Sequence, residues 1–330
     1  MTFKYDNVYV EETSTVVGPY EAKGPYKDKF DKKYDNLYCE ENTWEKAESK
    51  CLDDSIKILL EKTHKKSSDI DVILSGDLLN QITSSCFGVE KYNIPFLGLF
   101  AACATSTEGM IIASSMIDSN KVKNAIVSTS SHNMTAEKQF RNPTEYGAIK
   151  SKTSTFTATG AASILLTSNK TSIKITSSTI GKIINYNQKD PLNMGAAMAP
   201  AAADTIYNHL KDMNRTVENY DLILTGDLGI YGKQILETLM KEKYNIDLRN
   251  IHNDCGILLY DLSKQKEIKA GGSGPVCSPL VVYTDILERL RKKELKRVLM
   301  VSTGALFSPI TLFQKNPILG IAHAVCLEVE

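Results

Sequence analysis

The sequence has no closely spaced pair of cysteines, no apolar run long enough to span a membrane and no excess of either charge. Its seven cysteines, an odd number without any Cys-x-x-Cys pair, argue against a structural zinc site and indicate reduced thiols in a cytosol-like compartment. Lys plus Arg and Asp plus Glu both number 39, so the charge balance gives no sign of nucleic-acid binding. The first residues lack the apolar core of a secretory signal, and we expect neither a signal peptide nor a transmembrane segment.

The composition is that of a soluble globular protein. Hydrophobic residues make up 42% and charged residues 24% of the 330 positions. This length suits two domains or one duplicated fold.

Two segments that lie 150 residues apart are nearly the same. Residues 71–78 read DVILSGDL and residues 221–228 read DLILTGDL, with six identities in eight positions. The same offset aligns apolar positions of a helix predicted over residues 44–62, such as Ala47 and Leu60, with Ala197 and Leu210. A matching helix face followed by a matching strand indicates an internal duplication.

A second offset, of 174 residues, continues the duplication. It aligns Cys103 with Cys277 and residues 127–129 with residues 301–303. The difference of the offsets, 174 − 150 = 24, predicts 24 extra residues between Gly229 and Gly274. Each half then reads helix, buried strand, loop, small-residue turn, helix, buried strand, which favours βαβ units and parallel strands. We expect an α/β protein with two pseudo-twofold halves, residues 1–170 and residues 171–330, in five layers (α/β/α/β/α).

A turn of small residues surrounds Cys103. Residues 94–100 form a short apolar run typical of a buried strand, and residues 105–117 have helical spacing. Thr105 and Glu108, three positions apart, match the pattern of a capping box at a helix start. Cys103 is therefore predicted at a strand-to-helix turn, where free N–H groups favour a thiolate. An inert core cysteine is the alternative.

Duplicated halves with a cysteine at such a turn resemble the thiolase and ketoacyl synthase superfamily. Longer stretches resemble one family within it, the stage V sporulation AD proteins of spore-forming bacteria. The stretches that carry this resemblance span nearly the entire chain: residues 17–19, 44–48, 76–80, 129–133, 139–147, 197–204, 252–256 and 271–274.

The resemblance implies a thiolase-like fold that binds dipicolinic acid (pyridine-2,6-dicarboxylate), free or as its calcium chelate. It also implies a role in moving calcium dipicolinate across the spore inner membrane during sporulation and germination. The partners so implied are the other stage V sporulation A membrane proteins, through which the chain would be peripheral to that membrane, and a second copy in a homodimer. No cofactor and no metal site are expected.

Catalysis in this superfamily requires partners for the cysteine. Condensing enzymes combine the nucleophilic cysteine, matched here by Cys103, with a histidine and an asparagine or second histidine. The corresponding stretches read TGDL at residues 225–228 and GPVC at residues 274–277 and supply neither partner. We therefore predict a non-catalytic binding protein. The alternative is an acyl-transferring enzyme with Cys103 as nucleophile and His252 or His323 as base.

A flat dianion requires cationic or N–H donors near its carboxylates and an apolar surface for its ring. His132 directly follows a predicted strand, at the sheet edge that ligands favour. Arg141, nine residues later, is the arginine best placed in the sequence to clamp a carboxylate. A structural histidine and a solvated arginine are the alternatives.

Four further residues complete the predicted ligand site. His252 lies in a polar loop, and His323 lies on the last strand, which similar folds bring close to the cysteine. Asp77 and Asp227 end the two duplicated strands. Beside a dianion these carboxylates would need calcium or a proton between them, and structural roles are their alternative.

Overall fold

The computed structural model describes residues 1–140 and 150–330, and the elements given below are those of these residues. The strands are β1 (Thr2–Lys4), β2 (Tyr9–Val17), β3 (Lys32–Lys33), β4 (Val72–Gly76), β5 (Phe96–Gly98), β6 (Asn124–Ser131), β7 (Phe156–Thr157), β8 (Gly160–Thr167), β9 (Ile173–Thr179), β10 (Ile184–Asn185), β11 (Leu222–Thr225), β12 (His252–Asp254), β13 (Gly272–Ser273), β14 (Arg297–Leu306) and β15 (Leu319–Val329). The helices are α1 (Trp44–Thr63), α2 (Thr83–Val89), α3 (Thr105–Asp118), α4 (Asn133–Phe140), α5 (Met194–Met213), α6 (Gly229–Tyr244), α7 (Cys255–Leu258), α8 (Cys277–Val281), α9 (Leu287–Arg291) and α10 (Pro309–Phe313).

Ten strands form two copies of the same arrangement. The order β5-β4-β6-β8-β2 in the first half matches β12-β11-β14-β15-β9 in the second. In each copy the first three strands are parallel and the last two are antiparallel to their neighbours. The copies join where β2 meets β9 through the single pair Tyr9 and Lys174, and β1 of the first half pairs with β9 of the second. The predicted duplication is confirmed.

The helices form three layers around these two sets of strands. Met110 of α3 and Leu287 of α9 pack in one central core with strand residues of both halves. Ile56 of α1 packs against the outer face of the first set, and Ile206 of α5, 150 positions later, packs against the second. Because α3, α8 and α9 thus lie between the two sets, the α/β/α/β/α fold predicted from the sequence is confirmed.

The extra residues of the second half divide between two places. Strand β12 begins 156 residues after β5, so six of the 24 extra residues precede it and 18 follow it. The six accompany the replacement of short α2 by the longer α6, and the 18 include α7. This agrees with the predicted insertion between Gly229 and Gly274.

Candidate functional site

Cys103 lies in the turn between β5 and α3. Ala102 adopts a left-handed φ of 49°, unusual for a residue with a side chain. Thr105 holds this turn, because its Oγ1 accepts a hydrogen bond from the N–H of Ala101 (3.0 Å) and donates one to the carbonyl of Ala102 (2.7 Å). Thr105 is therefore the first residue of α3 and not its cap, and the predicted capping box with Glu108 is wrong.

Beside Cys103 is a small cavity with mostly apolar walls. Its volume is about 40 Å³, enough for about three water molecules. Three phenylalanines, Phe100, Phe140 and Phe307, form much of the wall, and Phe100 is half exposed. The other described residues that line the cavity are Leu78, Ala102, Cys103, Ala136, Thr157, Met194, Ser273 and Ala305. The aromatic walls suit a flat ring, but at this volume a ligand larger than a few atoms, a ring included, requires the wall to move.

A chain of hydrogen bonds connects Cys103 with a buried carboxylate of the second half. The Sγ of Cys103 is 3.7 Å from the Oγ of Ser273, which donates a hydrogen bond to Asp227 Oδ2 (2.8 Å). The other carboxylate oxygen accepts a hydrogen bond from Thr303 Oγ1 (2.6 Å). Because Ser273 donates to Asp227, its oxygen is left to accept the S–H of Cys103. Of these partners, sequence reasoning missed Ser273 and Thr303.

This surrounding keeps the thiol of Cys103 protonated. Burial raises the pKa of Cys103 well above its usual value, and the negative charge of Asp227 raises it further. Burial also raises the pKa of Asp227. The expected thiolate is therefore wrong, because the loss of hydration and the nearby carboxylate outweigh the N–H groups at the start of α3.

We expect Cys103 to react slowly with iodoacetamide. At pH 8 its alkylation, followed by peptide mass spectrometry, should be at least about tenfold slower than that of exposed Cys86 in the same chain. The substitution Asp227→Asn removes the nearby charge and should speed the reaction of Cys103 while leaving that of Cys86 unchanged. Equal rates at the two cysteines in the unaltered protein would contradict this account of the thiol.

His132 directly follows β6, as predicted, but its ring is fully used within the protein. It is buried; its Nε2–H donates to the carbonyl of Leu37 (2.7 Å), and its Nδ1 accepts from the N–H of Met134 (3.1 Å). Burial lowers the pKa of His132, consistent with this neutral ring. His132 does not line the cavity, so the geometry supports its structural alternative.

The other two predicted histidines are also outside the cavity lining. His252 has Nε2 at 2.9 Å from Thr225 Oγ1 and Nδ1 at 3.1 Å from Glu237 Oε1. His323 accepts a hydrogen bond at Nδ1 from the N–H of Gly181 (3.1 Å), and burial lowers its pKa to about 4. The hydrogen bonds given for both rings are thus to residues that do not line the cavity.

The two duplicated aspartates have different surroundings. Asp77 accepts hydrogen bonds from the N–H groups of Leu79 (2.8 Å) and Ser85 (2.7 Å), and so fixes the loop between β4 and α2. Asp227, at the corresponding strand end, lies beside Ser273 and Cys103. The structure thus gives Asp77 the structural role and brings Asp227 into the site. Arg141 lies outside the described residues.

The described residues contain no group of three or more His, Cys, Asp or Glu side chains arranged to hold a metal ion. None of the helices described for this chain combines the length and apolar character that crossing a membrane requires.

Comparison with solved structures gives enzymes of the thiolase-like fold. The chain matches an OleA variant of Xanthomonas campestris with a TM-score of 0.63 at 13% identity, covering 98% of this chain and 99% of that one. It matches 3-oxoacyl-[acyl-carrier-protein] synthase III of Aquifex aeolicus VF5 with a TM-score of 0.55 at 13% identity, covering 97% and 99%. At such identities the likeness establishes the fold alone.

Comparison of sequences is more specific. The family described as stage V sporulation protein AD matches residues 1–328. The stage V sporulation protein AD of Bacillus subtilis (strain 168) is 45% identical over 322 residues, which cover 97% of this chain and 94% of that protein. The chain therefore belongs to the stage V sporulation protein AD family, a family of sporulation proteins, and carries a thiolase-like fold.

Proposed function

We propose that this sporulation protein binds dipicolinic acid, free or as the calcium chelate, in the cavity beside Cys103 and does not catalyse a reaction. It would thereby support the movement of calcium dipicolinate across the spore inner membrane. The observation that carries the proposal is a phenylalanine-walled cavity in which Cys103 contacts Ser273, itself bonded to Asp227, and in which no described lining residue is a histidine.

The cavity offers a surface for the pyridine ring and a hydroxyl group for one of its carboxylates. The rings of Phe140 and Phe307 have centroids 5.6 Å apart, and an aromatic ligand stacks favourably on such faces. Thr157 supplies a hydroxyl for a carboxylate, whereas the hydroxyl proton of Ser273 is donated to Asp227. Arg141, which directly follows Phe140 in the chain, remains the sequence-based candidate for a cationic clamp.

Asp227, which accepts a hydrogen bond from the lining residue Ser273, would influence the form in which the ligand binds. A dianion next to an ionised carboxylate is repelled, so binding requires a proton on one of them or a cation between them. Burial raises the pKa of Asp227, so this side chain takes up a proton more readily than an exposed aspartate does. A calcium ion carried in by the ligand meets the same requirement, because Ca²⁺ prefers carboxylate oxygens.

The raised pKa of the Cys103 thiol supports the proposed absence of catalysis. Condensation needs a thiolate or a base that generates one, together with donors for the oxyanion. Among the described residues that line the cavity there is no histidine, lysine or arginine.

We expect dipicolinate to bind saturably, and Phe307→Ala to weaken binding about tenfold because the variant loses one ring of the wall. Isothermal titration calorimetry with free dipicolinate and with its calcium chelate measures both affinities. The matched control is Phe313→Ala, six positions later, which removes a ring that is 75% exposed and should change neither affinity. The variant Asp227→Asn should tighten binding of free dipicolinate relative to that of the chelate.

Two results would overturn the proposal. One is no saturable binding of either form up to millimolar concentration. The other is equal affinity of the Phe307→Ala variant and the unaltered protein, which would place any binding elsewhere.

An acyl-transferring enzyme is the second candidate. It is favoured by the apolar cavity at Cys103 and by an OleA variant of the same fold (TM-score 0.62, 12% identity) whose structure holds lauric acid and lauroyl-CoA. Incubation with a panel of acyl-CoA donors and intact-mass analysis decides between the two. Covalent acylation that is lost in Cys103→Ser would favour the enzyme, and unmodified protein would favour the binding role.

The proposal includes the partners expected from the sequence. The chain would lie peripheral to the inner membrane through other stage V sporulation A membrane proteins. A homodimer is supported by the open edge of β5, where Leu97 is exposed next to exposed Phe100 and β4 is the only strand partner among the described residues.

A further inference from the structure

A second concave surface lies on the first half and shares no lining residue with the cavity at Cys103. Its volume is about 380 Å³. It is lined chiefly by three aromatic side chains together with a proline, a lysine and an asparagine: Tyr20, Tyr38, Trp44, Pro19, Lys23 and Asn36. We call this surface the aromatic groove.

The fold holds the groove in place from behind. The rings of Tyr38 and Trp44 have centroids 6.1 Å apart and planes 30° from parallel, and Tyr20 packs on Phe156 with centroids 5.0 Å apart. The loop that carries Tyr38 is tied down at Leu37, whose carbonyl accepts the hydrogen bond from His132. Buried His132 therefore anchors the groove, which is a preformed surface.

Several side chains of the aromatic groove have exposed faces or polar groups that are available to a ligand. Tyr38 is 48% exposed, although a tyrosine is largely apolar. Lys23 has no acidic partner within 4.0 Å in the part of the chain that the structure describes. Asn36 uses its Oδ1 to accept the N–H of Tyr38 (2.9 Å), which leaves its amide N–H groups directed to solvent or a ligand. Aromatic faces, one free cation and amide donors are thus available together.

We propose that the aromatic groove binds an extended, proline-containing peptide of a partner protein, with an acidic side chain that pairs with Lys23. A polyproline II segment has no internal hydrogen bonds, so its carbonyls accept from donors such as the Trp44 and Asn36 N–H groups while its prolines stack on the aromatic rings. Sites for small molecules bury most of their ligand. A wide groove with the exposed ring of Tyr38 suits a chain that extends beyond it.

The single tryptophan of the sequence makes the test direct, because Trp44 is the only source of tryptophan emission. The probes are dodecapeptides with proline at every third position and one aspartate, together with the same peptides carrying alanine in place of proline. We expect the proline peptides to change the emission of Trp44 saturably, and the alanine peptides to bind at least fivefold more weakly. On an array of randomised peptides with the same proline spacing, the peptides that bind should be enriched in Asp and Glu.

Variants locate the binding. Tyr38→Ala should weaken binding of the proline peptides at least fivefold. Lys23→Glu should remove the preference for peptides that contain aspartate. The control Tyr186→Ala removes a tyrosine that is 59% exposed next to β10 and should leave binding within twofold. Melting temperatures show that each variant is folded. Tyr38→Ala should bind dipicolinate with the affinity of the unaltered protein, which distinguishes the aromatic groove from the cavity at Cys103.

Three results would overturn the inference. The first is equal binding of proline and alanine peptides. The second is proline-peptide binding that Tyr38→Ala leaves unchanged. The third is a saturable change of Trp44 emission with dipicolinate and none with any peptide, which would make the groove a small-molecule site.

Discussion

The free energy of unfolding is expected to fall by about 3 kcal/mol between pH 4.5 and pH 7.5 through the ionisation of one side chain, Glu21. This side chain is fully buried and accepts hydrogen bonds from the N–H of Thr159 (3.1 Å) and from the hydroxyl of Tyr260. Its other oxygen, Oε2, is buried without a partner. Burial raises the pKa of Glu21 from 4.5 to about 7, and each unit of difference from the unfolded chain corresponds to about 1.4 kcal/mol.

The direction of this pH dependence follows from whether the folded or the unfolded protein holds the proton of Glu21 more tightly. Below pH 4.5 Glu21 is protonated in both the folded and the unfolded protein, and its contribution is fully present. As the pH rises through the folded pKa, the unfolded chain has already released the proton while the folded protein must bury a charge, so stability is lost. Glu48, whose pKa burial raises to about 8, changes stability in the same direction.

Urea unfolding at a series of pH values measures this loss. The substitution Glu21→Gln should reduce the slope of the free energy of unfolding against pH. The slope against pH is the decisive quantity, because the amide of the variant is buried without an acceptor and lowers stability at every pH. The matched control is Glu61→Gln, on the exposed side of α1 with 64% of its side chain accessible, which should leave the slope unchanged. Glu48 should leave part of the slope in place, and a slope that Glu21→Gln does not reduce at all would show that Glu21 does not contribute to it.

The second large effect comes from a glycine in the doubled motif. We expect Gly76→Ala to lower the free energy of unfolding by about 3 kcal/mol, because the added methyl group overlaps backbone atoms that cannot move away without distorting the turn. A Cβ at this position would lie 2.2 Å from the carbonyl oxygen of Leu99 and 2.7 Å from Thr105 Cγ2. Both neighbours belong to the segment that leads through Cys103 into α3.

The duplication supplies the control for this experiment. Gly226 occupies the corresponding position 150 residues later, and a Cβ there would have Ser302 Cα and Thr303 N as its nearest atoms, at 3.1 Å. Gly226→Ala should therefore cost about 1 kcal/mol, close to the lower end for overpacked sites. Denaturation of the two variants under the same conditions compares them. Equal losses in the free energy of unfolding would mean that the turn before α3 can deform more easily than its contacts indicate.

The fold could be predicted because the sequence repeats itself. Two ungapped offsets fix which helices and strands correspond, and the position of Cys103 between a strand and a helix follows from local pattern. The sequence also shows that Asp77 and Asp227 end equivalent strands.

The partners of these residues could not be predicted, because they depend on how the two halves meet. Ser273 is 170 residues from Cys103, and no local pattern indicates that their side chains touch. Thr303 donates to Asp227, whereas its counterpart Thr129, at the offset of 174, donates to the carbonyl of Pro275. Identical motifs thus acquired different roles through their surroundings. For the same reason His132 looks like a ligand residue in the sequence and is a structural residue in the fold.

The pairing of β1 with β9 bears on the history of the chain. The three residues of β1, which belong to the first copy, pair with residues 177–179 of β9 in the second copy. Neither copy can therefore be excised or inherited separately without exposing backbone that its twin covers. Because the two copies share this pairing, the different surroundings of Asp77 and Asp227 belong to one molecule that cannot be divided into two intact halves.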